Sequence, residues 1–267
     1  MPLDLRGNIA VGGIAFYVPI VAISLYYHAR YSFRRDAGFF FTCLFALTRL
    51  TQGVLIVAAE LIEHPSVGLF IAAYDLFPTS LALLDLAFLG FLGLAGQGSY
   101  SEYTRTMRIF RGAGILPIVA LALSIAGGIL GTPVNPDNDT GLLLRRIAAG
   151  VYGGIWVVLV LITFMCWSHR HSMRWYRRQL LIGVTIALLP LGVRTAYAIL
   201  HAWSSSDIFG NDPSPNPNLA RFNPITGDYI VYLVMGLVME YLCCLILLFS
   251  AFYMMRQRHR SYYPRQY

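Results

Sequence analysis

Seven separate stretches of this 267-residue chain are each long and apolar enough to cross a bilayer. They run over 8–29, 38–61, 66–96, 112–131, 147–167, 179–203 and 229–254. A helical span needs ~20 mostly apolar residues to cover ~30 Å of hydrocarbon, and each run reaches that length. The expected fold is therefore an all-α, seven-helix membrane bundle filling one domain, followed by a short basic tail over 255–267. The third run contains Pro78, which predicts a kink or a tilt there. The first run has no small-residue cleavage pattern after it and is too long for a signal-peptide core, so it reads as a retained span.

Composition matters here because a soluble core is also apolar. Charged residues make up 12% of the chain and hydrophobic ones 57%, against about 25% charged in soluble domains. The net charge is +7, and every basic side chain is Arg. Such a balance can signal nucleic acid. In this chain the arginines sit mostly beside alternate spans, a pattern that the positive-inside rule explains better. Arg30, Arg34 and Arg35 follow the first run, Arg105, Arg108 and Arg111 the third, and Arg170, Arg174, Arg177 and Arg178 the fifth. Arg256, Arg258, Arg260 and Arg265 mark the tail. The other connections hold little beyond Arg145, Arg146 and Arg221. The N-terminus is thus expected outside or in the lumen, and the C-terminus in the cytoplasm. The pattern Asn138-Asp139-Thr140 is a glycosylation acceptor on the expected lumenal side, in keeping with a secretory membrane such as the endoplasmic reticulum.

Several functions are excluded by what the residues lack. A retinal protein needs a Schiff-base Lys, and the chain has none. The signature ends of the third and seventh spans of the large G-protein-coupled receptor family are missing, as is a loop disulfide. Cys43, Cys166, Cys243 and Cys244 all fall inside runs and read as small apolar residues. No clustered Asp motif at a helix end suits Mg²⁺-diphosphate chemistry. Neither His-Glu-x-x-His nor Gly-x-Ser-x-Gly occurs, and no cofactor is called for. The basic-aromatic segment 169–178 reads as an interfacial lipid anchor. The Asn- and Pro-rich connection 204–228 reads as an ordinary surface loop.

The most informative residues are ionisable groups within the runs. Each costs a few kcal/mol in hydrocarbon unless it is paired or wet. These are Arg49 and Glu60 in the second run, Asp75 and Asp85 in the third, Arg194 in the sixth and Glu240 in the seventh. His201 lies near the end of the sixth. Helical spacing places Arg194, Tyr197 and His201 on one face. Arg49 and Glu60, eleven residues apart, share another, and so do Tyr229 and Glu240. Tyr74, Pro78 and Asp85 line up on the third span, with Asp75 to one side. These polar faces must point inward, so the charges are expected to converge in a pocket that is central to lumenal. Four acids facing two arginines leave at least one carboxyl short of a strong partner. That group is a candidate general acid. The alternative is structural: the arginines pair with Asp85 and Glu240 and pin the bundle.

The last third of the chain carries Arg177-Arg178-Gln179-Leu180-Leu181, Gly183-Val184, Ala187-Leu188, Pro190, Val193-Arg194 and Tyr197. Phe222-Asn223-Pro224-Ile225-Thr226-Gly227 and Glu240 follow. In these residues it resembles a largely uncharacterised group of fungal multi-span membrane proteins. By size, span number and embedded acids it also resembles the integral-membrane terpene cyclases of fungal meroterpenoid pathways. That second resemblance implies protonation of an epoxide or alkene on a prenylated, lipophilic substrate by an intramembrane carboxyl, followed by ring closure. Glu240 and Asp85 are the leading acids, with Asp75 and Glu60 behind them. Arg49, Arg194, His201 and the aromatic walls Tyr74, Tyr197, Tyr229 and Tyr232 are expected around the substrate. The expected partners are that substrate and membrane lipids, with no nucleic acid and no known protein partner. A seven-span receptor-like sensor, a small-solute transporter and a purely structural membrane protein are the alternatives.

Overall fold

The computed structural model describes residues 5–31, 37–62, 67–96, 104–130, 138–205, 214–223 and 226–262. Among them are seven helices long and apolar enough to cross a membrane, making this a multi-pass membrane protein. They are α1 (Leu5–Tyr31), α2 (Ala37–Leu61), α3 (Val67–Ala95), α4 (Thr104–Leu130), α5 (Asn138–Ser168), α6 (Trp175–Ala202) and α7 (229–262). No strand occurs among the described residues. In hydrocarbon only a helix satisfies each N–H and C=O within its own segment, which is why long apolar runs take this form.

Most boundaries agree with the apolar runs, but α4 and α5 begin about two turns early. Arg108 and Arg111 therefore lie on the first turns of α4, exposed, and Arg145 and Arg146 on the first turns of α5, half-buried. Arginine is a good helix former whose long stem lets its head reach the interface, so apolarity understates the helix. The side chain of Asn138, the proposed glycosylation site, lies outside the described residues.

Successive helices pack as neighbours, and α7 returns to α1 to close a ring. The α3 helix also touches α5, α6 and α7, and so occupies the centre. Its buried face, with Leu84, Phe88, Phe91 and Leu92 at or near zero exposure, forms the core with Phe39 and Phe45 of α2. The outer surface is equally apolar: Phe164, Leu189 and Phe249 are each more than 70% exposed. Large apolar side chains on both sides of a helix are what a lipid-facing surface requires.

Two close approaches set the registers that matter below. A Cβ on Gly90 of α3 would strike the backbone of Gly38 of α2, with the Ala37 carbonyl carbon 2.9 Å away. A Cβ on Gly183 of α6 would strike the Ser250 side chain of α7. From that second contact, eleven residues along α6 (~16 Å) lead to Arg194, and ten back along α7 (~15 Å) lead to Glu240. The antiparallel register thus brings these two charges level. Cys243 donates to the Ala187 carbonyl at 3.5 Å as a rung between them.

The α7 helix is not uniform. It starts as an α-turn (Tyr229–Val231) capped by Asp228, whose Oδ1 accepts from Ile230 N at 3.0 Å. It then widens into a π-helical segment, Tyr232–Val238, before the regular helix Met239–Tyr262. A wider i→i+5 turn advances fewer degrees per residue, so phase counted at the α-helical step is lost across it.

Candidate functional site

Three helices deliver charge to one point in the core. Glu240 of α7 has no solvent exposure and binds two arginines, one through each oxygen. Arg49 of α2 donates from Nε to Glu240 Oε2 at 2.6 Å, and its Nη2 also contacts that oxygen. Arg194 of α6 donates from Nε to Glu240 Oε1 at 2.5 Å. Arg49 Nη1 donates to Gln52 Oε1, one turn along α2, at 2.5 Å. Both arginines are buried, Arg194 completely. Charges this dry persist only when paired and hydrogen-bonded, and one shared carboxylate supplies both needs.

Phe77 of α3 completes the arrangement from the apolar side. Its ring centroid is 4.2 Å from the Arg194 guanidinium carbon and 5.0 Å from that of Arg49. A ring face is attractive to a cation and needs no second carboxylate. Around Phe77 lie Tyr197 and His201 of α6 and Tyr232 of the π segment, with ring centroids 5.7–6.2 Å away. Tyr197 and His201 stack in parallel at 6.1 Å. Phe222, just before the start of α7, comes within 6.4 Å of Tyr197. The connection 204–228 is therefore more than a surface loop at this point. Asn223 is 1% exposed, and its carbonyl accepts from Gly227 N at 3.0 Å. Any Cβ on Gly227 would strike that carbonyl.

The predicted face of Arg194, Tyr197 and His201 is present, and all three are buried. The predicted shared face of Tyr229 and Glu240 is not. Tyr229 is 48% exposed, while Glu240 is fully enclosed. The π segment between them accounts for the difference, since eleven residues at the ordinary α-helical step no longer close whole turns. Tyr232 takes the inward position instead. Glu60 is half-buried at the end of α2, and no ion pair joins it to Arg49 or Arg194 among the described residues. The side chains of Tyr74 and Asp75 lie outside the described residues.

Asp85 stands apart from the triad. It is 1% exposed on the central helix, yet neither carboxyl oxygen has a hydrogen-bond partner among the described residues. It feels the field of Arg194, and it in turn acts on Tyr152 of α5 and Cys243 of α7. Tyr152 is fixed to α3 by donating to the Pro78 carbonyl at 3.1 Å.

Sequence reasoning overlooked four members of this centre. Phe77 is one apolar residue in a long apolar run and carries no signal of its own. Gln52 was detectable as a polar residue one turn after Arg49. Tyr152 looks like any interfacial aromatic. Arg145 was read as part of a connection, but it sits on α5 with Nη2 2.6 Å from His201 Nε2. Arg146 lies 4.7 Å over the Trp203 ring and donates to the Ser205 carbonyl at 3.5 Å. This end of the bundle is thus lined by cations as well as aromatics. Among the described residues, no three His, Cys, Asp or Glu side chains gather as a metal site would require.

The sequence profile of a family described as Domain of unknown function (DUF7702) matches residues 3–258. No curated protein and no solved structure matches the chain.

Proposed function

We propose, for a chain that belongs to the DUF7702 family, that it is an integral-membrane cyclase acting on a lipophilic, prenylated substrate, with Asp85 as general acid. The observation that carries this reading is the Asp85 carboxyl: buried, central, and with no hydrogen-bond partner on either oxygen among the described residues. Glu240 is a poor donor by comparison. Both of its oxygens are taken up in accepting from two guanidinium groups. A proton donor must not be tied up as the counter-ion of a cation, and Asp85 meets that requirement where Glu240 does not.

The step balances as an isomerisation. The Asp85 hydroxyl proton passes to an epoxide oxygen as its C–O bond breaks. A substrate hydroxyl or alkene then attacks the electron-poor carbon and closes a ring. A proton lost from that nucleophile, or from an adjacent carbon, returns to the Asp85 carboxylate. No cofactor enters. The alternating Arg pattern and the acceptor sequence at Asn138 support a lumenal N-terminus and an endoplasmic reticulum location.

The test is direct. Membranes from a yeast host expressing the full chain are incubated with epoxidised prenyl phenols and farnesyl compounds. Products are followed by mass and retention time. The parent should form a new isomer, and Asp85→Asn should not. An isomer formed equally by Asp85→Asn removes the proposed acid. Silence of a folded, inserted parent across the panel removes the cyclase.

One observation favours a second reading, a receptor-like sensor. The Arg49–Glu240–Arg194 triad joins α2, α6 and α7, and it sits directly after a π segment. A ligand drawing Arg194 away from Glu240 would loosen α6 from α7, a switch of the interface-repacking kind.

A further inference from the structure

The Arg194 guanidinium uses only part of its donor set. Its Nε is committed to Glu240 and its face to Phe77. Its outer edge, Nη1 and Nη2, has no hydrogen-bond partner among the described residues although Arg194 is wholly buried. Tyr197, one turn further along α6, is also at zero exposure, and its hydroxyl is equally without a partner among the described residues. Its ring lies 5.8 Å from the same guanidinium carbon. Two independent buried groups thus present unused donors on one face of one helix. Leaving such donors unmet is costly, and more so for a charged group.

Charge points the same way. Arg49 and Arg194 bring two positive charges, and Glu240 answers one of them. Asp85 makes no ion pair with either arginine among the described residues. Arg145, on the adjoining His201, adds to the positive field rather than relieving it. Two parallel N–H groups on the edge of a planar cation match the two oxygens of a carboxylate. Around them the walls are Phe77, Tyr197, Tyr232 and Phe222, which suit an apolar body attached to that carboxylate.

We infer that the Arg194 Nη1–Nη2 edge and the Tyr197 hydroxyl form a subsite for the carboxylate of a lipophilic acid. The inference rests on the proposed cyclase reading for its context, since it gives the prenylated substrate an acidic head group. Anchored there, the substrate supplies the missing negative charge itself. The guanidinium is then neutralised before any positive charge develops on the substrate's carbon chain.

Binding is measured separately from turnover. The full-length protein in lipid nanodiscs is titrated with farnesoic acid, its methyl ester and farnesol, following thermal stabilisation and equilibrium binding. The acid should bind roughly tenfold or more tightly than the ester or the alcohol, the worth of one charge-assisted hydrogen bond or more. Tyr197→Phe, which removes a single oxygen, should lose several-fold in acid affinity and leave ester binding unchanged. Arg194→Lys, which keeps a charge for Glu240 but loses the fork, should lose roughly tenfold. If Arg194→Lys does not fold, Tyr197→Phe alone decides. Equal binding of acid and ester by the parent, or acid binding indifferent to Tyr197→Phe, overturns the subsite. So does acid binding that appears only in Asp85→Asn, because Asp85 would then be the counter-ion of Arg194. A parent that cyclises ester and acid substrates alike would retain the cyclase reading while this inference fails. Acid binding without any cyclised product would do the reverse.

Discussion

Glu240 and Asp85 are carboxyls on neighbouring helices, and both are closed off from solvent. Glu240 is clamped by two arginines from two other helices, whereas Asp85 has no hydrogen-bond partner among the described residues. Burial is therefore no guide to role within this membrane bundle. What separates the two is whether a guanidinium donates hydrogen bonds to the carboxyl. The paired carboxylate acts as a joint between α2, α6 and α7. The other carboxyl has no such compensation among the described residues, which on the cyclase reading is the cost of keeping a proton donor in the core.

The largest expected effect breaks the paired side of this contrast. Glu240→Leu leaves two guanidiniums buried without their counter-ion. It should cost about 3–5 kcal/mol, read as a lower midpoint in thermal unfolding in detergent. Adding Arg49→Met and Arg194→Met to the same chain should restore most of that loss, because an apolar replacement of a whole buried ion group is often neutral. Failure of the triple variant to recover would mean that the charges do more than pin the bundle.

Asp85→Asn probes the other carboxyl. On the cyclase reading, turnover should fall about 10²–10⁴-fold, the usual contribution of a general acid. The unfolding midpoint should shift by an amount worth under about 1 kcal/mol, since no hydrogen bond or ion pair is lost. A large loss of stability would place Asp85 among the structural charges with Glu240.

Smaller effects test how the pairing is registered. Gly183→Val forces a side chain into Ser250, at the contact that levels Arg194 with Glu240. It should cost about 1–3 kcal/mol by overpacking. Tyr232→Ala removes a ring from the cluster on Phe77 and should cost about 1 kcal/mol in lost aromatic contacts. Tyr229→Ala, on the exposed side of α7, should fall within about 0.5 kcal/mol of the parent. Equal effects of these two tyrosine variants would contradict the change of phase across Tyr232–Val238.

Much of this architecture could be read in advance. The seven spans were visible because hydrocarbon thickness imposes a length that seven runs of this chain meet. The inward face of Arg194, Tyr197 and His201 was visible because α6 keeps α-helical phase through that stretch. The π segment hid Tyr229, whose spacing from Glu240 implied a shared face under a step that α7 does not keep. Arg145 was hidden by its own charge, which made the start of a helix look like a connection. Phe77 had no signal, because its value lies in facing two guanidiniums from other helices.

The sequence by itself determined that this chain must be a bundle of membrane helices, and that its embedded charges must turn inward. Both follow from the cost of placing polar groups in hydrocarbon, which depends on residue type and local spacing alone. The tertiary structure alone decided which charges meet. Four acids and two arginines admit many pairings of similar local cost. The choice rests on interhelical registers such as Gly183 against Ser250, on a π segment that shifts phase ahead of Glu240, and on a central α3 that sets Phe77 beside the guanidiniums. Those same registers leave Asp85 without a hydrogen bond or ion pair among the described residues, because a carboxyl in a membrane interior pairs only with the cation that packing brings to it.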